Sequence, residues 1–295
     1  MGDLVRIGSD ALTAEINPFG AELTHLRDAE GRRLMTNADP AYWTGRAPLL
    51  FPNVGGLAGD VYRLDGETYA MPKHGFARLS LFETVDADEA GARLRLTDSA
   101  ATRVAYPFAF ALEMAFAVDG ATLAMTAMLT NTGDRDLPAN FGYHPAFAWP
   151  LPYGQPRAEH RMTFDAAEPG NLRALDADGL IAGTRPSPLD GRTLVLTDEL
   201  FADDALIWTP VESRGLTYGA AGAPQLRVEW DAPMLGVWTR PGAAFVCVEP
   251  WWGHADPAGF DGEIWDKPGI LRLAPGERRE FGMRVALIPE PSART

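Results

Sequence analysis

The chain has one cysteine, Cys247, in 295 residues. No intrachain disulfide is possible, and the residue reads as a small buried hydrophobe rather than a reactive thiol. Positive charge is scarce: 26 Lys and Arg stand against 40 Asp and Glu, a formal net charge of -14. Nucleic acid and anionic membrane surfaces repel such a body, and a highly anionic substrate would need a local basic pocket. No apolar run approaches the ~20 residues of a helical membrane span. Met1 to Asp10 lacks the apolar centre of a signal peptide, and Arg6 stands where myristoylation wants Ser or Thr. These absences predict a soluble cytoplasmic protein with neither nucleic acid nor membrane as partner.

Several catalytic signatures are also missing. There is no phosphate-cradling glycine loop with Lys-Ser or Lys-Thr, no dinucleotide fingerprint, no His-Glu-x-x-His and no Gly-x-Ser-x-Gly elbow. His25, His160 and His254 have no neighbours at metal-ligand spacing and read as surface or structural residues. His74, His144 and Glu249 have the residue types of a metal site, but the reading adopted is that no metal is held.

Helical periodicity is nearly absent. One short helix is predicted from Asp98 or Ser99, ending by Tyr106-Pro107. Strand signals fill the rest: Ala11 to Ile16, Ala21 to Leu26, Ala92 to Leu96, Leu226 to Trp230, Ala244 to Val248, Ile270 to Leu273 and Phe281 to Ile288. The clearest is a hairpin. Leu112, Met114, Phe116 and Val118 alternate with smaller or polar residues, Asp119-Gly120 follows as a turn, and Leu123, Met125, Ala127 and Leu129 alternate again. That turn places Phe116 opposite Leu123 and Met114 opposite Met125, with both apolar sets on one face. With 46% hydrophobic residues, no linker-like block and no repeat, the chain reads as one domain over 1–295. The class is all-β, a large sandwich of stacked antiparallel sheets with a concave face rimmed by loops.

Two ionisable residues stand just before a proline in apolar strand-like runs. They are His144 in Phe141-Gly142-Tyr143-His144-Pro145 and Glu249 in Cys247-Val248-Glu249-Pro250-Trp251-Trp252. Each is read as lying at a strand end, where a polar group faces a cleft without entering the core. Together they suit acid/base work near neutral pH, the carboxyl raised by the indoles beside it. Three further positions qualify. Arg46 enters the proline-locked stretch Ala47-Pro48-Leu49-Leu50-Phe51-Pro52, either to bind ligand oxygens or to lie over aromatics at the surface. His74, between Lys73 and Gly75 with Arg78 close by, is expected neutral and able to donate and accept. Asp204 opens the apolar run Ala205-Leu206-Ile207, as a hydroxyl acceptor or a turn cap. Tyr143, Phe147 and Trp149 flank His144, and aromatic planes beside a few polar groups suit sugar rings.

Taken in order, Arg46 to Pro52, His74-Gly75-Phe76-Ala77-Arg78, Gly142 to Phe147, Asp204 to Ile207 and Val246 to Trp251 resemble the aldose 1-epimerase (galactose mutarotase-like) superfamily, in its LacX-like branch. The likeness runs from about Ala11 to the strand near Ile288. It implies a galactose mutarotase-like β-supersandwich acting on a free hexose or related sugar, without metal or organic cofactor. It implies His144 as general acid and Glu249 as general base, with Arg46, His74 and Asp204 holding sugar oxygens. One departure is Asn53-Val54-Gly55-Gly56, whose doubled glycine predicts a mobile loop and a shifted sugar preference. Partners are expected to be a small sugar and, at most, a second copy of the chain. Other readings are a hexose-6-phosphate epimerase using Lys73, Arg78 and Arg46, a non-catalytic sugar binder or sensor, and glycoside cleavage by Asp204 and Glu249.

Overall fold

The structure is a computed structural model that describes residues 3–290. Two antiparallel sheets face one another. The larger has nine strands, in the order Thr193–Val195, Arg161–Phe164, Gly215–Gly219, Gln225–Trp230, Arg278–Ile288, Thr122–Asn131, Phe110–Asp119, Gly91–Thr97 and Glu83–Ala87. The second runs Ile181–Arg185, Leu172–Leu175, Leu206–Trp208, Met234–Trp238, Phe245–Trp252, Phe141–Tyr143 and Leu49–Leu50, with Ala146–Ala148 also paired to Phe245–Trp252. A three-stranded sheet, Val5–Gly8, Leu12–Asn17 and Glu22–Asp28, packs beside the nine-stranded one. The short helix spans Ala100–Ala105. The Ser99 side chain caps the Thr102 amide, and the Thr102 side chain caps Ser99 in return.

The predicted hairpin exists, but its turn differs from the expected one. Phe116 pairs with Met125 and Val118 with Leu123, so the two turn residues are Gly120 and Ala121, and Asp119 joins the ladder opposite Thr122. Gly120, at φ 51°, takes the first turn position, where a tight hairpin favours glycine. The slip is two residues, an even number, so every apolar side chain keeps its face. Phe110, Leu112, Met114, Phe116 and Val118 are all buried.

Packing between the sheets is apolar, each fully buried Phe or Leu contributing roughly 1.5–3 kcal/mol. Phe141 from one sheet stacks on Phe281 from the other, with centroids 4.7 Å apart. Tyrosines align the layers. The Tyr143 hydroxyl donates to the Phe281 carbonyl at 2.9 Å, and Tyr218 reaches back to the Ala148 carbonyl at 2.8 Å. Because Tyr143 points inward, the next residue, His144, emerges on the outer face of the eight-stranded sheet.

The same alternation runs through Phe245–Trp252. Val246, Val248 and Trp252 belong to the core between the sheets. Phe245, Cys247 and Trp251 belong to separate clusters on the outer face, the side that Glu249 also takes. No helix is long and apolar enough to cross a membrane among the described residues.

Candidate active site

His144 and Glu249 are cross-strand partners. On one side of them Phe141 pairs with Trp252 and Gly142 with Trp251; on the other, Ala146 pairs with Cys247. The register is the same on both sides, so His144 falls opposite Glu249 with no residue inserted. Pro145 and Pro250 withhold their backbone donors on either side, which opens the ladder there. His144 Nε2 lies 3.2 Å from Glu249 Oε2. Sequence reasoning placed both groups at strand ends facing a cleft, and His144 does directly follow the strand Phe141–Tyr143. Glu249 is instead in the interior of its strand, and the two are only 8% and 2% exposed.

The pair forms the floor of a cavity of about 300 Å³. Trp251 lies beside it, flat on the sheet. A Cβ at Gly236 would come within 2.6 Å of its ring, and one at Gly142 within 2.7 Å, so two glycines make its bed. Its buried N–H is directed at the Glu249 carboxyl, where it favours the charged form against the larger effect of burial. Trp43 covers the His144 ring at 4.9 Å between centroids, and Trp238 and His74 close on it edge-on at 5.9 Å each. This box excludes water from His144.

Desolvation sets the protonation of the site. It lowers the His144 imidazole to about 3, opposed by a backbone hydrogen bond. It pushes the Glu249 carboxyl well above the usual carboxylate range, reinforced by the charge of Asp204. Both shifts favour the uncharged arrangement, with one proton shared by the pair and resting on the carboxyl. His74 is held neutral by burial first, then by His144, and only after these by Lys73 and Arg78, the charges that suggested neutrality in the sequence. Its Nδ1 accepts the Gly55 N–H at 3.1 Å, so its proton sits on Nε2, which is left as a donor.

Gly75 is essential to that placement. At φ 68° it turns under the Phe51 carbonyl, and a Cβ there would lie 2.2 Å from that oxygen. The doubled glycine is not free either. Gly55 O accepts from the His74 amide and the Asn53 side chain, while Gly56 O accepts from Asp256, which ties the loop down. Asp204 lines the cavity at φ 70°, and its Oδ1 caps the Ala205 amide at 2.7 Å. It therefore serves the turn and faces the cavity at once.

Arg46 corrects the sequence reading. It is not part of the lining; its Nη1 donates to the Thr24 and Thr36 carbonyls at 3.2 and 3.3 Å, which fastens the segments beneath it. The basic residues on the cavity wall are Lys73 and Arg78. His254, read as surface or structural, is buried and lines the cavity. Its place after the Glu249 run, Trp251-Trp252-Gly253-His254, was the available signal. His160 is structural, its Nε2 accepting the Leu151 amide at 3.0 Å, and His25 pairs with Glu15 at 2.9 Å.

The metal-like set is also not the one sequence suggested. His144, Cys247 and Glu249 bring donor atoms within 4.8 Å, with Cys247 in place of His74. Burial and the neighbouring Glu249 raise the Cys247 thiol, which opposes the thiolate that metal ligation requires.

The sequence model of the aldose 1-epimerase family matches residues 3–271. The chain belongs to the aldose 1-epimerase family. Among curated relatives of this family member, the chromosomal protein LacX of Lactococcus lactis is 27% identical, over 92% of this chain and 95% of the relative. A galactose mutarotase related enzyme from Lactobacillus acidophilus superposes with a TM-score of 0.90 at 28% identity, covering 98% of this chain and 99% of the other. A galactose mutarotase-like protein from Lactobacillus casei gives 0.91 at 26% identity, covering 97% and 100%. The sandwich is thus galactose mutarotase-like, and the His144–Glu249 floor lies inside the family-matched region.

Proposed function

We propose that the protein interconverts the α and β anomers of a free aldose by acid/base ring opening. The observation that carries this reading is the 3.2 Å contact between His144 Nε2 and Glu249 Oε2 at the floor of a cavity sized for one ring. Anomerisation removes a proton from the C1 hydroxyl and gives one to the ring oxygen. Both oxygens are bonded to C1, so acid and base must be neighbours, as these two are.

Sugar hydroxyls entering the cavity solvate the Glu249 carboxylate, and its proton passes across the contact to His144. The Trp43 face, 4.9 Å away, favours the imidazolium so formed. Glu249 then takes the O1 proton while His144 gives its proton to O5. The C1–O5 electrons go to O5, and C1=O1 forms. Rotation about C1–C2 presents the other carbonyl face, and closure runs with the roles exchanged. His74 Nε2–H and Asp204 are proposed to hold hydroxyls, with Trp251 supplying the flat surface.

The test is anomer exchange, by polarimetry or NMR, on fresh α-D-glucose and α-D-galactose. Glu249→Gln and His144→Asn should each lower the enzymatic rate by ~10²–10⁴. Unchanged rates would remove the role assignment. Lys73 and Arg78 on the wall favour a second reading, a phosphorylated hexose, which glucose 6-phosphate in the same assay separates.

A further inference from the structure

Lys267 and Asp256 form the one lysine or arginine ion pair among the described residues in which both side chains are buried, at 0% and 3% exposure. Lys267 Nζ lies 2.5 Å from Asp256 Oδ1. Neither residue enters the proton transfers proposed for His144 and Glu249. Taking two charges out of water is expensive, and apolar side chains of similar volume often pack such a site at least as well. Stability alone therefore does not account for the pair.

Its neighbours do. The second carboxylate oxygen, Oδ2, accepts the Ala58 N–H at 3.0 Å. The Asp256 N–H donates to the Gly56 carbonyl at 3.0 Å, and the Asp256 carbonyl accepts the Ile181 N–H at 2.9 Å. Gly55, Ile181 and Ala255, each one or two positions from these contacts, line the deep cavity. Three stretches of its wall thus meet on Asp256. The fit at Gly55 is close, since a Cβ there would lie 2.7 Å from the Ala255 Cβ.

From Gly55 the connection continues to His74. The Gly55 N–H donates to His74 Nδ1 at 3.1 Å, and the His74 N–H donates back to the Gly55 carbonyl at 3.0 Å. The first bond keeps Nδ1 bare and the proton on Nε2. The His74 ring so held stands edge-on to His144 at 5.9 Å.

We propose that Asp256 and Lys267 are positioning residues, which set the tautomer and orientation of His74 through the loop from Gly55 to Ala58. Each carboxylate oxygen has one task. Lys267 takes Oδ1, which turns Oδ2 toward the loop, and an apolar pair could do neither. What His74 then holds rests on the anomer-exchange reading; where its ring and proton sit does not.

Three variants of the intact chain separate positioning from packing. Ala58 opens the helical turn Ala58–Asp60, and Leu57 before it is extended, at φ -108° and ψ 149°. Proline suits the first helical position and wants an extended residue ahead of it, so Ala58→Pro keeps the ion pair and deletes the single N–H that Oδ2 accepts. Asp256→Leu with Lys267→Met fills the same space without an acceptor. Asp256→Asn with Lys267→Gln restores the acceptor without charge.

Two readouts are taken at pH 7.5, with urea unfolding to show that each variant is folded. One is the ¹⁵N shifts of the His74 ring, assigned by the resonances that His74→Gln removes; they distinguish a bare ring nitrogen from a protonated one. The other is kcat/KM for anomer exchange of glucose and galactose. Ala58→Pro and the Leu/Met pair should lose the bare-Nδ1 pattern, and kcat/KM should fall roughly 10- to 100-fold, the scale of a misplaced group beside the reacting atoms. The Asn/Gln pair should keep the pattern and stay within about threefold.

A His74 pattern unchanged in Ala58→Pro and in the Leu/Met pair would overturn the proposal, and so would an Asn/Gln pair that loses as much as Leu/Met. If the double variants do not fold, Ala58→Pro decides alone. If the wild type accelerates no sugar, the anomer-exchange reading fails, and the ¹⁵N pattern still decides the positioning.

Discussion

Replacing His144 by Asn should make the fold less sensitive to acid. Burial lowers the native imidazole from 6.5 to about 3. A group lowered in the folded state contributes stability that is present above its unfolded value and is lost as pH falls below it. Between pH 6.5 and pH 5 the unfolded chain gains a proton at this residue and the native chain does not. At 1.36 kcal/mol per pH unit, the wild type forfeits about 2 kcal/mol over that interval through His144 alone. The figure requires only that the native value stay below 5.

His25, His74, His160 and His254 are lowered as well, each mainly by burial, and act in the same direction. Glu249 is raised and acts in the opposite direction. His25, His160 and His254 have no shift caused by His144 and cancel in the comparison, while His74 and Glu249, which face it, are shifted first by burial, which the variant keeps. Urea unfolding of the wild type and of His144→Asn at pH 7.5 and 5.0 gives the four free energies required. The wild type should lose about 2 kcal/mol more than the variant. Equal losses would mean that the native imidazole titrates near its ordinary value, and a smaller loss in the wild type that it rests as an ion pair; either would refute the shared-proton description.

The same protonation predicts the pH dependence of the reaction. The pair is competent while it holds one proton, so exchange corrected for the spontaneous rate should stay nearly flat from pH 7 down to about 4 and fall on the alkaline side as Glu249 loses that proton; an acid limb near 6.5 would contradict it. Gly75→Ala forces a Cβ onto the Phe51 carbonyl at φ 68°, and should cost at least ~2 kcal/mol and reduce kcat by displacing His74, read by urea midpoint and single-sugar kinetics. Arg46→Ala should lower stability by about 1–3 kcal/mol through the lost bonds to Thr24 and Thr36 while leaving KM for hexoses unchanged; a large rise in KM would restore Arg46 to sugar contact.

Much of this was legible because strand periodicity is strict. Alternation in Phe110–Asp119 and Thr122–Asn131 gave the core faces even though the turn was misplaced, since a two-residue slip leaves faces unchanged. The short helix was readable from Ser99 and Pro107, a cap and a stop. What failed depended on long-range partners. Arg46 could not be assigned from its own segment, because the carbonyls that occupy it belong to residues 22 and 10 positions away. The Gly55 loop failed for the same reason, as Asp256 and His74 reach in from other segments. Glu249 was placed at a strand end because Pro250 reads as a terminator, yet Trp251 and Trp252 still find Gly142 and Phe141 beyond it.

The two prolines help explain why an acid and a base face each other in an otherwise apolar sheet. In water the proton of such a pair belongs to the histidine, whose ordinary value of 6.5 exceeds the 4.5 of the carboxyl. Burial moves the first down and the second up, until the order reverses. In the proposed reaction, sugar hydroxyls partly solvate the carboxylate and move the order back. Ring opening from one anomer and closure to the other need the same two groups with their roles exchanged, so the useful arrangement is one in which the shared proton is bound about equally well at either end. By excluding water, the aromatic box of Trp43, Trp238 and Trp251 moves the proton of the pair from the imidazole to the carboxyl, at the expense of the acid stability that His144→Asn is expected to recover.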